Sequence, residues 1–136
     1  MGFDTTYIED GLGLQFAGIG VLTGREVLDC NHALLETPES LSALEYAIVL
    51  LDDVTSFPAT TNEIHELVDV HVQLSRVNPS MLVAIVAPSD FLFGMARMWE
   101  TLAAETGWST AIFRSRQEAD AWIAGGRAIK KGVGRR

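Results

Sequence analysis

The sequence predicts an α/β domain: a mixed, mostly parallel sheet with a leading β-hairpin and about four helices, in the order β-β-α-β-α-β-α-β-α. Three observations carry this expectation. Two runs, Tyr46 to Leu51 and Met81 to Ala87, are apolar without alternation, as strands covered on both faces are. Three segments open on a Ser/Thr-x-x-Glu capping box (Thr23/Glu26, Thr60/Glu63 and Ser115/Glu118) and continue with apolar residues at helical spacing. Near the N-terminus, Asp10-Gly11 is the pair that tolerates positive φ at both positions of a tight hairpin turn.

In chain order, residues 1–6 show no pattern, and Tyr7-Ile8-Glu9 reads as a short strand before that turn. Leu12, Leu14 and Phe16 then alternate with Gly13, Gln15 and Ala17, a half-buried strand of period two, which Gly18 and Gly20 loosen. The first helix starts at Thr23 and carries Val27, Cys30, Asn31, Leu34 and Leu35 until Pro38 prevents continuation. Residues 37–44 are a loop, or a loop with one helical turn. The strand at 46–51 stops at Asp52 and Asp53 and leads through a short loop to Thr60. The second helix, about 60–76, has the stripe Ile64, Leu67, Val68, His71 and Leu74 and ends before Asn78-Pro79-Ser80. Pro88 closes the strand at 81–87. The third helix runs from Ser89 to about Thr106, with Gly107 as its C-terminal cap. Residues 109–113 are a short final strand, and the fourth helix continues from Ser115 through Ala119, Trp122 and Ile123 to Gly125-Gly126.

The 136 residues make one domain of ordinary size, with an apolar fraction of 48% that supports a core without staples. The net charge of −8 hides an asymmetry: residues 127–136 hold five of the ten basic residues and no acid, leaving −13 on the rest. An acidic body of this kind repels nucleic acid and anionic membrane surfaces, so neither is expected as a partner. The expected organisation is one domain over residues 1–126 and a basic, flexible tail over 127–136. The single Cys30 forms no internal disulfide, and without a signal-peptide pattern a reducing cytoplasmic setting is the default. The longest apolar runs fall far short of the roughly 18 residues that span a bilayer.

Phe16-Ala17-Gly18, Thr23-Gly24-Arg25-Glu26, and Val86-Ala87-Pro88-Ser89-Asp90 with Phe93-Gly94-Met95-Ala96-Arg97 together resemble the small bacterial STAS-like proteins, relatives of the anti-sigma-factor antagonists. The resemblance covers residues 7–124, and the element order agrees with it. It implies a non-catalytic interaction or regulatory domain that works through protein–protein contacts. A homodimer or another protein is the expected partner, and no cofactor is expected. In the antagonists a partner kinase phosphorylates a serine at the start of the helix after the central strand, usually following an aspartate and close after a phenylalanine. In Phe57-Pro58-Ala59-Thr60-Thr61 that position is Thr60, with Ala59 in place of the aspartate, so a phospho-switch at Thr60 competes with plain helix capping.

Other candidates are thin. Asp52 and Asp53 suggest a hydrolase or phosphotransferase with acids at a strand end. Adjacent strand residues point to opposite faces, however, and no lysine precedes Lys130 to pair with a phosphoryl group. His32, His65 and His71 complete no metal set, and His71, on an apolar stripe, reads as a satisfied core histidine. Cys30 reads as a buried thiol, and Gly18-Ile19-Gly20 lacks the ending of a phosphate loop. The segment 88–99 is the most unusual: the third helix lacks the glutamate of a capping box and opens on apolar bulk. Gly94 within it costs about 1 kcal/mol against alanine, which suggests close approach by something. Phe91, Phe93, Met95, Met98 and Trp99 are therefore the expected interaction or ligand patch, for another subunit or for a small apolar ligand or lipid.

Overall fold

The computed structural model describes residues 2–130. Strand β1 (Phe3–Ile8) turns through a 3₁₀ turn at Glu9–Gly11 into β2 (Gly13–Val21), and the two pair antiparallel from Phe3↔Gly18 to Ile8↔Gly13. Glu9, Asp10 and Gly11 all take positive φ, so the Asp-Gly pair sits where its tolerance is needed. Helix α1 (Gly24–Leu34) and the short α2 (Pro38–Ala43) lead to β3 (Tyr46–Ser56). There follow α3 (Thr61–Val77), β4 (Leu82–Val86), α4 (Asp90–Leu102) with a 3₁₀ turn at Ala103–Thr106, β5 (Ser109–Phe113) and α5 (Arg116–Lys130). The Thr23/Glu26 and Thr60/Glu63 boxes form with both reciprocal hydrogen bonds, and Ser89 caps α4 by accepting from the Leu92 N–H.

The strand order is β1-β2-β3-β4-β5, and every pairing after the hairpin is parallel. Parallel crossovers share one hand, so strands laid down in sequence put every crossover helix on the same side. Accordingly Leu28 of α1, Leu67 of α3 and Trp99 of α4 share one core with Phe16, Ala47 and Val83. The opposite face has α5 alone, with Ala119 and Ile123 packed on Tyr46, Ile48, Leu82 and Val86. The period of two divides each central strand between these cores.

Three boundaries differ from the sequence expectation. The hairpin begins at Phe3, inside the stretch that shows no pattern. Strand β3 does not stop at Leu51: it continues through Asp52 and Asp53 to Ser56, pairing Ile19↔Asp53 and Val21↔Ser56, because β2 runs alongside it past Gly18. Helix α5 does not stop at Gly125-Gly126. A Cβ at Gly126 would stand 2.8 Å from a Leu82 methyl, so this glycine lets α5 approach β4 closely rather than ending the helix. Of the expected tail, residues 127–130 are therefore helical and 131–136 lie outside the described residues. Arg127 is tied in. Its Nε donates to Glu45 (2.8 Å), its Nη1 donates to Glu9 (3.0 Å), and its guanidinium lies 5.0 Å from the Tyr46 ring centre. The Tyr46 hydroxyl donates to Glu9 in the same cluster. Burial, then that carboxylate, push the phenol up to about 12.

Candidate functional site, an apolar cavity between sheet and helices

Alternation sends Leu14 and Phe16 of β2, Val49 and Leu51 of β3, and Val83 and Ile85 of β4 to the face that α1 to α4 cover. Helix α3 meets them with Ile64, Leu67, His71 and Leu74 at spacings of three and four, and α4 with Leu92, Met95, Ala96 and Trp99. These layers do not close. A cavity of about 110 Å³ remains, with the short side chains of Ala47 and Ala96 in its wall. Val49, Leu51, Phe57 and Met95 are only half-buried. Val49 and Leu51 lie on the middle strand of five, where packing normally covers both faces, so the space is not sealed.

One side of the wall is held by a buried chain of hydrogen bonds. The Trp99 indole N–H donates to His71 Nδ1 (2.9 Å), His71 Nε2 meets Asn31 Oδ1 (3.0 Å), and Asn31 Nδ2 donates to the Val27 carbonyl (2.8 Å). An indole nitrogen only donates, so Nδ1 must accept and Nε2 must carry the proton. His71 is thus neutral, and burial pushes it down to about 3. Its ring stands edge-on to Trp99 and 5.5 Å from Trp108, whose own N–H donates to the Asn78 carbonyl (2.8 Å). Among the described residues every buried side-chain nitrogen or oxygen has at least one partner, so the polar side-chain atoms of the wall are already engaged.

The five residues of the expected patch do not form one surface. Trp99 is buried and lines the cavity with half-buried Met95, while half-buried Phe93 lies under the Arg114 guanidinium at 4.2 Å. Met98 is half-buried in the core's margin, and Phe91 is 60% exposed. No other part of the described chain stands within 4 Å of a Cβ built on Gly94, which is exposed, so no neighbouring element accounts for the glycine. Thr60 is the exposed N-cap of α3, its Oγ1 accepting from the Glu63 N–H (3.1 Å). Asp52 and Asp53 are exposed, and among the described residues no group of His, Cys, Asp and Glu is placed to hold a metal ion. Cys30 is half-buried, its thiol 3.7 Å from the Phe3 carbonyl. His71 is the core histidine that its stripe implied. Asn31 and the two alanines were missed as wall residues; the only local signal was an asparagine on an apolar stripe.

No family model and no curated protein matches the chain. Solved structures do. An uncharacterised protein of the DUF3478 family with a SpoIIAA-like fold, from Shewanella loihica PV-4, is 16% identical with a TM-score of 0.57, covering 90% of this chain and 92% of that one. The anti-sigma factor antagonist SpoIIAA in its unphosphorylated form is 14% identical with a TM-score of 0.58, covering 91% of this chain and 99% of its own. At such identities the likeness is one of fold, and the fold is SpoIIAA-like: a five-stranded mixed sheet led by an antiparallel hairpin. No helix among the described residues is long and apolar enough to cross a membrane.

Proposed function

We propose that this chain is a non-catalytic binding domain that takes a small apolar molecule, or the apolar end of a larger one, into the cavity, and acts on other proteins through its surface. The observation that carries the reading is the unfilled space itself. At about 24 cal/mol per Å³, a void of 110 Å³ withholds about 2–3 kcal/mol from the core. That is a large share of the roughly 5–15 kcal/mol by which domains are stable, and an occupant restores it. The site has no nucleophile, no paired carboxylates and no open proton donor, which supports binding over bond-breaking. The regulatory half of the proposal draws on the likeness to an anti-sigma factor antagonist.

Native mass spectrometry of gently purified protein tests it. The expected result is a folded chain carrying a small extra mass that leaves on denaturation, or an apo chain whose Trp99 and Trp108 emission responds to added apolar compounds. No extra mass and no response would reject the reading. A second reading, self-association as a homodimer, is favoured by Phe91, which is 60% exposed at the start of α4. Light scattering of the wild type and of Phe91→Ser tests that one: a dimer that the substitution turns into a monomer supports it, and a wild-type monomer removes it.

A further inference from the structure

We infer that the cavity selects an unfunctionalised alkyl segment of about four carbons and leaves any polar group of the ligand outside; the inference rests on the binding reading above and narrows it. Size sets the length. An engineered cavity of about 150 Å³ takes the six carbons of benzene, so 110 Å³ takes about four. The wall sets the chemistry. Trp99, His71 and Asn31 spend their polar atoms on one another and on the Val27 carbonyl, and Trp108 spends its N–H on Asn78. A hydroxyl or carboxylate drawn inside would lose its water and meet polar atoms already engaged with one another, so it is disfavoured by desolvation. A neutral, satisfied wall also gives no counter-charge, so recognition is by volume and shape alone. The half-buried Val49, Leu51, Phe57 and Met95 leave the ligand's remainder a way to stay in solvent. The source of such a group is either a free small molecule or the tail of an amphiphile.

The test is a chain-length series, n-alcohols from ethanol to octanol, followed by the methyl NMR signals of Leu14, Val83 and Ile85, which report from inside the cavity. Each methylene that enters is expected to tighten binding about fourfold, through butanol or pentanol, after which affinity stays flat. The carboxylates of matching length form the second arm. Equal affinity on the plateau identifies an amphiphile's tail, and carboxylates weaker by tenfold or more identify a free neutral molecule; both keep the proposal. Ala96→Leu, which fills the wall, is expected to weaken butanol at least tenfold while the fold's spectrum is kept. Val83→Ile, a milder filling that guards against misfolding, is expected to move the break one carbon shorter. Affinity that climbs past octanol without a break, or diols that bind as well as alcohols, would overturn the inference while leaving the binding reading intact. Cavity methyls that respond to no alcohol at all would overturn both.

Discussion

The indole N–H of Trp99 fixes more than a distance: it decides the protonation state of His71, because an imidazolium has no lone pair to receive it. With the folded value near 3 and the ordinary value near 6.5, the unfolded chain takes up this proton first as pH falls. The contribution of His71 to stability is therefore complete above about pH 6.5 and is lost progressively from there down to about pH 3, at about 1.4 kcal/mol per pH unit. Urea midpoints measured between about pH 6.5 and 5 are expected to fall with this slope. His71→Gln can accept from Trp99 and donate to Asn31 without titrating, and its midpoints are expected to fall less steeply over the same interval. Gly94 makes a second test of a single side chain. Its surroundings are open and its backbone is helical, so Gly94→Ala is expected to stabilise by about 0.5–1 kcal/mol in thermal or urea unfolding. The sequence singled out Gly94 as costly inside a helix and read His71 as a core histidine. It placed His71 correctly because an apolar stripe is a local pattern, whereas the open space around Gly94 depends on the packing of the whole chain and no local pattern shows it.

Helix starts were legible, and helix ends were legible where a breaker stood, as at Asn78-Pro79 and Gly107, but not at Gly125-Gly126, and the reason is range. A capping box acts over three residues, so Thr23/Glu26 and Thr60/Glu63 can be seen without knowing where the chain goes next. A glycine pair is ambiguous: it ends a helix, or it lets the helix touch a neighbour. Gly125 and Gly126 differ in this respect, since a Cβ on the first meets nothing within 4 Å and a Cβ on the second meets buried Leu82. Gly125→Ala is expected to stabilise α5 by about 0.5–1 kcal/mol, and Gly126→Ala to give no gain or a loss, because the propensity term is spent on moving Leu82. Thermal midpoints of the two variants side by side check this. The acids Asp52 and Asp53 misled in the same way: they look like a strand end, yet β2 supplies partners for Asp53, Val54 and Ser56. Thr60 separates the phospho-switch that the resemblance implies from plain capping. Thr60→Ala is expected to lower stability by about 0.5–2 kcal/mol, as a lost cap does. If the only effect is on stability and partner binding is untouched, Thr60 is a cap and no more.

The two faces of the molecule are unequal, and this follows from sequential strand order with crossovers of one hand. Alternation of apolar runs and amphipathic helices disclosed the class of fold, but strand order is a relation among distant segments, and no local pattern in the chain records it. Helices α1 to α4 crowd one side and leave the cavity; α5 alone must hold the other. A single helix over a sheet needs fixing at its end, and Arg127 supplies it by joining α5 to the hairpin turn at Glu9 and to the entry of β3 at Glu45. Composition placed Arg127 in a basic tail because its neighbours in sequence are basic, whereas its acidic partners are 82 and 118 residues away. The Arg127 side chain is 18% exposed and those of Glu45 and Glu9 are 31% and 52% exposed, so screening reduces each bond below its buried worth. Arg127→Gln is expected to lower stability by about 1–2 kcal/mol, and raised salt to narrow the gap to wild type. Arg116→Gln is the control on the same helix. Its partner Asp120 lies one turn along at 3.5 Å with both side chains about half exposed, and its loss is expected to stay within about 0.5 kcal/mol. Urea midpoints of both variants at low and high salt decide the matter: a clear excess for Arg127 makes the last turn of α5 a fastening of the fold, and equal small losses would return it to the frayed ends of the chain.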